Sequence, residues 1–194
     1  MEIVFASNNN GKLNQIRDLF KNKIKIIGLE EANITIDVCE DEDSFKGNAL
    51  KKANEVYKIV KKPVLADDSG LCIDFFDGWP GVYTNRFLPN STIDERNDFI
   101  IEKMQNVDES LRGAKNICVL AYIDENGKTY TFEGVVNGKI AHKQTGDNLF
   151  GFDSIFVLPN EKTLAQLTNE EKIKVNARSL AFKKFLEFLE NKQT

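Results

Sequence analysis

Residues 44–75 read SFKGNALKKANEVYKIVKKPVLADDSGLCIDF, and this stretch decides the fold class. Ser44 is placed as an N-cap, since a side-chain oxygen there satisfies one of the helix's first amides. Phe45, Ala49, Ala53, Val56, Tyr57 and Val60 then recur at the spacing of one helix face. Pro63 closes the helix, because proline has no amide to donate. Val64 to Ala66 reads as a buried strand leading to Asp67-Asp68-Ser69-Gly70, where the glycine permits a sharp turn. Leu71, Ile73 and Phe75 alternate with more polar positions and extend a further short strand. A helix followed directly by a buried strand is the repeating unit of α/β proteins.

The same alternation holds upstream. Ile3 to Ala6 is a short apolar strand, Ser7 to Gly11 a polar turn, and Leu13, Ile16, Leu19 and Phe20 mark a helix. Lys23 to Ile27 and Ile34 to Val38 read as second and third strands, the latter ending at the acidic run Glu40 to Asp43. Downstream, Gly78-Trp79-Pro80-Gly81 is a loop. Thr92-Ile93-Asp94-Glu95 is a capping box that opens a helix through Phe99, Ile100 and Met104. Ile117 to Ile123 is a strand. Asn126-Gly127 and Asn137-Gly138 read as hairpin turns on either side of a strand from Tyr130 to Val136. Ser154 to Leu158 is a strand stopped by Pro159. A second capping box, Thr168 to Glu171, opens one final helix carrying Ile173, Ala177, Leu180, Ala181, Phe185, Phe188 and Leu189. The pattern predicts an α/β protein with a mixed sheet.

The chain has 194 residues, which suits one large domain or two small lobes. A chain of this length buries roughly 70% of its unfolded surface, so its core needs neither disulfide nor metal. The formal net charge of −4 disfavours sequence-independent nucleic-acid binding but leaves room for a small anion in a local basic pocket. Cys39, Cys72 and Cys118 are odd in number and far apart, which argues against a disulfide framework or a cysteine-built zinc site. His142 is the single histidine, reads as a surface residue, and excludes a multi-histidine metal centre. The opening MEIVFASNNN does not read as a signal peptide, and no run approaches the roughly 18 apolar residues of a membrane span. No nucleic acid, no membrane and a cytoplasmic location are therefore expected.

Several segments carry candidate chemistry, each with a plainer alternative. Ser7 to Lys12 ends a strand and opens a helix, so backbone amides, the helix dipole and the Lys12 charge suit a phosphate. The plainer alternative is an Asn-rich cap. Asp67 and Asp68 suit Mg²⁺, which takes one or two carboxylates plus substrate phosphates, and one of them could orient a water. A turn or a cap is the alternative. The run Glu40 to Asp43 either supplies another oxygen ligand or is a solvated loop. Phe150-Gly151-Phe152-Asp153 could stack on a base and accept its N–H, or simply pack beside a turn. Lys172 and Asn176 share a helix face at i, i+4, whereas Arg178 points elsewhere.

Taken in order, these segments resemble the inosine triphosphate pyrophosphatase family, the noncanonical purine or dITP/XTP pyrophosphatases. Ala6 to Lys12 resembles its (T/S)-x-N-x-x-K loop. Ser44-Phe45-Lys46-Gly47-Asn48-Ala49 resembles T-F-x-x-N-A, with Lys52 on the same helix. Ala66 to Leu71 matches A-D-D-S-G-L, and Gly78 to Phe87 resembles G-x-P-G-x-x-S-A-R-F/Y. Phe150 to Phe156 resembles F-G-Y-D-P-I-F, and Leu167 to Lys172 matches L-T-x-E-E-K. The resemblance runs from residue 2 to about 186. It departs at Asn176-Ala177-Arg178, where the family has S-H-R with a base-contacting histidine, and at Phe152 for Tyr and Ser154 for Pro. The family's E-E-T-G falls on the acidic run, its second Glu at Glu40 and its first at Cys39.

The resemblance implies a long mixed central sheet flanked by helices, two lobes around a substrate cleft, and residues 1–194 as one catalytic domain, usually a homodimer. It implies hydrolysis of ITP, dITP and XTP to the monophosphate plus pyrophosphate, with Mg²⁺ as cofactor. Asp68 is then the catalytic base or water orienter, and Glu40 and Asp68 hold the metal, with Asp67 outside the direct ligands. Ser7, Asn8, Asn9, Asn10, Gly11, Lys12 and Lys52 hold the phosphates, with Ser69 in the same region. Phe150, Gly151, Phe152, Asp153, Lys172 and Arg178 form the base pocket. Two alternatives stand beside this reading: a non-catalytic nucleotide sensor, and a related pyrophosphatase for other modified nucleotides.

Overall fold

A computed structural model describes residues 1–20 and 24–192. Its elements are β1 (Glu2–Phe5), α1 (Asn10–Phe20), β2 (Lys25–Gly28), α2 (Phe45–Val60), β3 (Val64–Ile73), α3 (Ile93–Lys103), β4 (Gly113–Ile123), β5 (Thr129–Ile140), β6 (Phe156–Val157), α4 (Asn169–Val175) and α5 (Ala177–Lys192). Among the described residues the strands form one mixed sheet in the order β2-β1-β3-β4-β5-β6. β1 runs parallel to β2 and β3, and β5 runs antiparallel to β6. This is the α/β mixed sheet that the patterning predicts, with the helices that the resemblance implies. Among the described residues no helix is long and apolar enough to cross a membrane.

The chain divides into two compact units. The first comprises Met1–Asp68, Cys118–Glu133 and Ala181–Thr194, and the second Ser69–Ile117 and Gly134–Leu180. In the first, the apolar runs of β1 and β3 are buried, as parallel strands covered on both faces require. Ile16 and Phe20 of α1 and Ala49, Ala53 and Val56 of α2 are buried there too. The Phe20 ring meets those of Phe182 and Phe185 edge-on at 5.3 and 6.1 Å. The second unit has its own core, with Leu71, Ile73, Ile100, Met104, Ile140, Ile155 and Phe156 at its centre.

Local caps behave as the residues dictate. Ser44 lies in extended backbone and accepts the Gly47 amide at 3.0 Å, so α2 starts at Phe45. Both capping boxes form, Thr92 with Glu95 and Thr168 with Glu171.

The structure departs from the sequence pattern in six places. Ile34 to Val38 forms no strand; its side chains alternate in exposure, but among the described residues no strand pairs with it, and the Ile36 carbonyl is met instead by the Asn8 side-chain amide at 3.0 Å. The second strand is Lys25–Gly28, and Lys23, where it was expected to begin, lies outside the described residues. Asp67-Asp68-Ser69-Gly70 is no turn, because β3 continues through it to Ile73, while Phe75 falls in a 3₁₀ turn, Asp74–Phe76. Asn137-Gly138 lies inside β5, and its glycine serves close approach: a Cβ there would stand 2.7 Å from the Phe156 ring and closer still to the Val157 carbonyl. β6 keeps only Phe156 and Val157 of the expected strand. The final helix, likewise, is two helices broken at Asn176.

Candidate functional site

The predicted residues gather into two constellations, one in each unit. In the first, β3 carries adjacent carboxylates, and a pleated strand sends adjacent side chains to opposite faces. Their partners differ accordingly. Asp67 meets the Lys12 ammonium at 3.2 Å with both oxygens, and the Cys118 thiol lies 3.9 Å from Oδ2. Asp68 meets α2, accepting from the Asn48 amide at 3.2 Å and the Lys52 ammonium at 3.4 Å. Asn48 and Lys52 reach it together because they stand at i, i+4 on the buried face of α2.

Lys52 also draws in the acidic run. Its Nζ lies 2.5 Å from Glu40 Oε1, so Glu40 and Asp68 converge on one positive charge. Asn48 pins the same run by its backbone: its Oδ1 accepts the Glu42 amide at 3.1 Å. Asp41 turns outward to Lys51. Asn48 joins the predicted residues here, and its i, i+4 spacing from Lys52 is the signal in the sequence that marks it.

Charge follows burial here. Desolvation pushes the Asp68 carboxyl above the usual carboxylate range, and the charges of Glu40 and Asp67 add to that push, while those of Lys52 and Lys12 oppose it. Burial alone would discharge Lys52, but the carboxylates of Asp67, Asp68 and Glu40 outweigh it and hold its pKa above the ordinary lysine value. A buried carboxylate whose proton affinity is raised, beside a fixed cation, is what a water-activating base needs.

Side-chain caps meet two amides at the turn before α1. Ser7 Oγ accepts the Asn9 amide at 3.2 Å, and Asn9 Oδ1 accepts the Lys12 amide at 3.0 Å. Asn10 to Lys12 are already helical, and Asn8, Asn9, Asn10 and Gly11 are exposed. Ser7 and Asn9 therefore cap the start of α1, and the Lys12 side chain points to Asp67.

Glu40 and Asp68 suit a hard cation by donor type, since both offer oxygens and already converge on the Lys52 ammonium. Among the described residues no group of three or more His, Cys, Asp or Glu side chains gathers to hold a metal ion. Such a cation would complete its shell with substrate phosphates and water, as Mg²⁺ commonly does.

The second constellation joins the loop 150–153 to the two last helices. Lys172 Nζ lies 2.7 Å from Asp153 Oδ2 and donates to the Asn148 carbonyl at 2.8 Å, all three atoms in a buried or half-buried setting. Arg178 stands 5.6 Å over the Phe150 ring and donates to Ser69 Oγ at 3.2 Å. Desolvation pushes Asp153 above the usual carboxylate range against the pull of Lys172 and then Arg178. Gly151 sits at φ +57°, a conformation that favours glycine, and this turns the chain between Phe150 and Phe152. Phe152 stacks on Phe87 at 6.4 Å.

The expectation that Lys172 and Asn176 share one face while Arg178 points away is overturned. Asn176 is extended and caps both helices, donating to the Lys172 carbonyl at 2.8 Å and accepting the Ser179 amide at 2.8 Å. That break lets Arg178 act on Asp153 alongside Lys172. Ala177 beside it is buried. Ser69, expected near the phosphates, has Arg178 as its partner. Asn148, which sequence reasoning passed over, carries no signal there, because it acts through its backbone carbonyl.

Comparison with known proteins agrees over almost the whole chain. Residues 3–188 match the profile of the Ham1 family. A dITP/XTP pyrophosphatase of Staphylococcus epidermidis is 38% identical over 194 residues, covering 99% of this chain and 98% of that protein. A dITP/XTP pyrophosphatase of Clostridium perfringens is 35% identical, with 94% of each chain covered. The solved Ham1 protein of Staphylococcus aureus superposes with a TM-score of 0.89 at 36% identity, over 99% of this chain and all of that one.

Proposed function

The chain belongs to the Ham1 family, and on that premise we propose that it is a nucleoside triphosphate pyrophosphatase. It hydrolyses ITP, dITP and XTP to the monophosphate and pyrophosphate and so cleans the nucleotide pool. The observation that carries the reading is Asp68: a buried carboxylate held by Asn48 and set, with Glu40, against Lys52.

In this reading, Lys12 and Lys52 neutralise the triphosphate, and the turn from Ser7 to Gly11 lines it. Asp68 orients a water toward the α-phosphorus and takes its proton. The new bond joins that water oxygen to the α-phosphorus, and the bond from the α-phosphorus to the bridging oxygen breaks, releasing pyrophosphate. Mg²⁺, held by Glu40 and Asp68, would supply charge neutralisation of the phosphate oxygens. Asp67 steadies Lys12.

The second constellation selects the base. Phe150 and Arg178 offer stacking, Lys172 and Arg178 donate, and Asp153 accepts. A donor aimed at the 6-oxo group of hypoxanthine or xanthine is left unpaired by adenine's amino group. An unpaired buried polar group costs about 1–3 kcal/mol, roughly a ten- to hundredfold preference. Residues 1–194 act as one catalytic domain, as a cytoplasmic homodimer, on a free nucleotide.

Hydrolysis of ITP in ¹⁸O-water tests where the bond breaks. The label is expected in the monophosphate and not in the pyrophosphate. IDP and labelled inorganic phosphate as products would refute attack at the α-phosphorus.

A further inference from the structure

Asn97 of α3 is fully buried on the face that also carries Ile100 and Met104, where an apolar residue would be expected. Its Nδ2 donates to the Gly151 carbonyl at 3.1 Å and to Ser154 Oγ at 3.0 Å, with Gln144 Oε1 at 3.3 Å. The Ser154 hydroxyl in turn donates to Gln144 Oε1 at 2.7 Å. The Gln144 amide returns to α3, donating to Asp98 Oδ1 at 2.9 Å and the Asp94 carbonyl at 3.3 Å. A closed strap therefore ties both ends of the segment 151–154 to one helix. Phe152 and Asp153 lie between those two anchor points.

The orientation of the Asn97 amide follows from its neighbours. The Gly151 carbonyl and Gln144 Oε1 only accept, so the NH₂ group must face them. Its Oδ1 is then buried without a hydrogen-bond partner among the described residues. A buried acceptor left unmet is unfavourable, and core packing alone would be served better by an apolar side chain. The donor end is what the fold retains. Ser154 belongs to the same argument: proline in its place would have no hydroxyl to join Asn97 to Gln144.

We propose that Asn97 is a positioning residue for base recognition: through Gly151 and Ser154, and with Gln144, it fixes the loop that presents Phe152 and Asp153. This rests on the reading of residues 150–153 as base-binding. Asn97 touches no substrate in this account; it sets the place of groups that do.

The test compares Asn97→Asp, which replaces the donor with an acceptor, and Gln144→Ala at a half-buried position, with Asp153→Asn alongside. Steady-state kinetics with ITP and ATP are paired with inhibition by tripolyphosphate, a probe with no base. For Asn97→Asp, the KM for ITP is expected to rise about tenfold, with a smaller change in kcat and a matching fall in the ITP-over-ATP preference. Tripolyphosphate inhibition stays at its wild-type value. Gln144→Ala moves the same quantities about threefold, and it decides the matter if Asn97→Asp fails to fold. Base preference unchanged in folded Asn97→Asp and in Gln144→Ala, while Asp153→Asn loses it, would overturn the positioning role alone. Base preference unchanged in Asp153→Asn would overturn the base-binding reading itself. Tripolyphosphate inhibition weakened in step with ITP would mark a general structural loss and also overturn the proposal.

Discussion

Asp68→Asn is expected to lower kcat for ITP by about a thousandfold, the usual range for losing a positioned general base. KM should stay level or fall, because the change removes a negative charge from a site that receives a triphosphate. The fold should survive. Asparagine keeps the shape, and it can still accept the Asn48 amide that now lies 3.2 Å from Asp68. Lys52 keeps Glu40 as its closer partner at 2.5 Å. Rapid-quench single-turnover kinetics at saturating ITP would separate this loss of chemistry from a loss of binding. A variant retaining more than a tenth of wild-type kcat would remove Asp68 from the role of base.

Lys172→Met is expected to cost both stability and selectivity. It leaves the Asp153 carboxylate buried beside Arg178 alone, and breaking a buried pair from one side costs roughly 3–5 kcal/mol. kcat/KM for ITP should fall at least about a hundredfold, and that for ATP should fall less. The pH signature has a definite sign. Asp153 binds its proton more tightly folded than unfolded. Its contribution to stability is therefore complete below the unfolded carboxylate value, about 3.9, and is lost as pH rises through the higher folded value. Removing Lys172, which pulls that value down, extends the window of loss to higher pH. Thermal melts from pH 4 to 8 should show Lys172→Met still losing Tm at pH values where the wild type has levelled off. Adding Asp153→Leu should restore Tm without restoring base preference. A Lys172→Met protein whose Tm tracks the wild type at every pH would contradict this account of the pair.

Much of the site was legible in the sequence because charge and spacing announce it. Adjacent carboxylates after an apolar run, a lysine in the first turn of a helix and a lysine among small apolar residues all point to anion chemistry. The resemblance then ordered them. What stayed hidden was neutral or long-range. Asn48, Asn97 and Asn148 act through amides and carbonyls, and an asparagine looks the same in sequence whether it caps a turn or ties two elements together. The strand through Asp67 to Gly70 was misread because glycine and serine signal turns, whereas here the sheet ladder overrides them. Asn137-Gly138 failed likewise: its glycine makes room for Phe156, a contact no local rule anticipates. The break at Asn176 escaped because helical periodicity continues across it.

The most direct test is pyrophosphate release by the purified protein from ITP, dITP, XTP, GTP, ATP and dUTP, each with Mg²⁺ and with EDTA. The account predicts Mg²⁺-dependent release that is fastest with ITP, dITP or XTP and abolished by EDTA. Binding of these nucleotides with no release from any of them would contradict it and would leave a nucleotide sensor in its place.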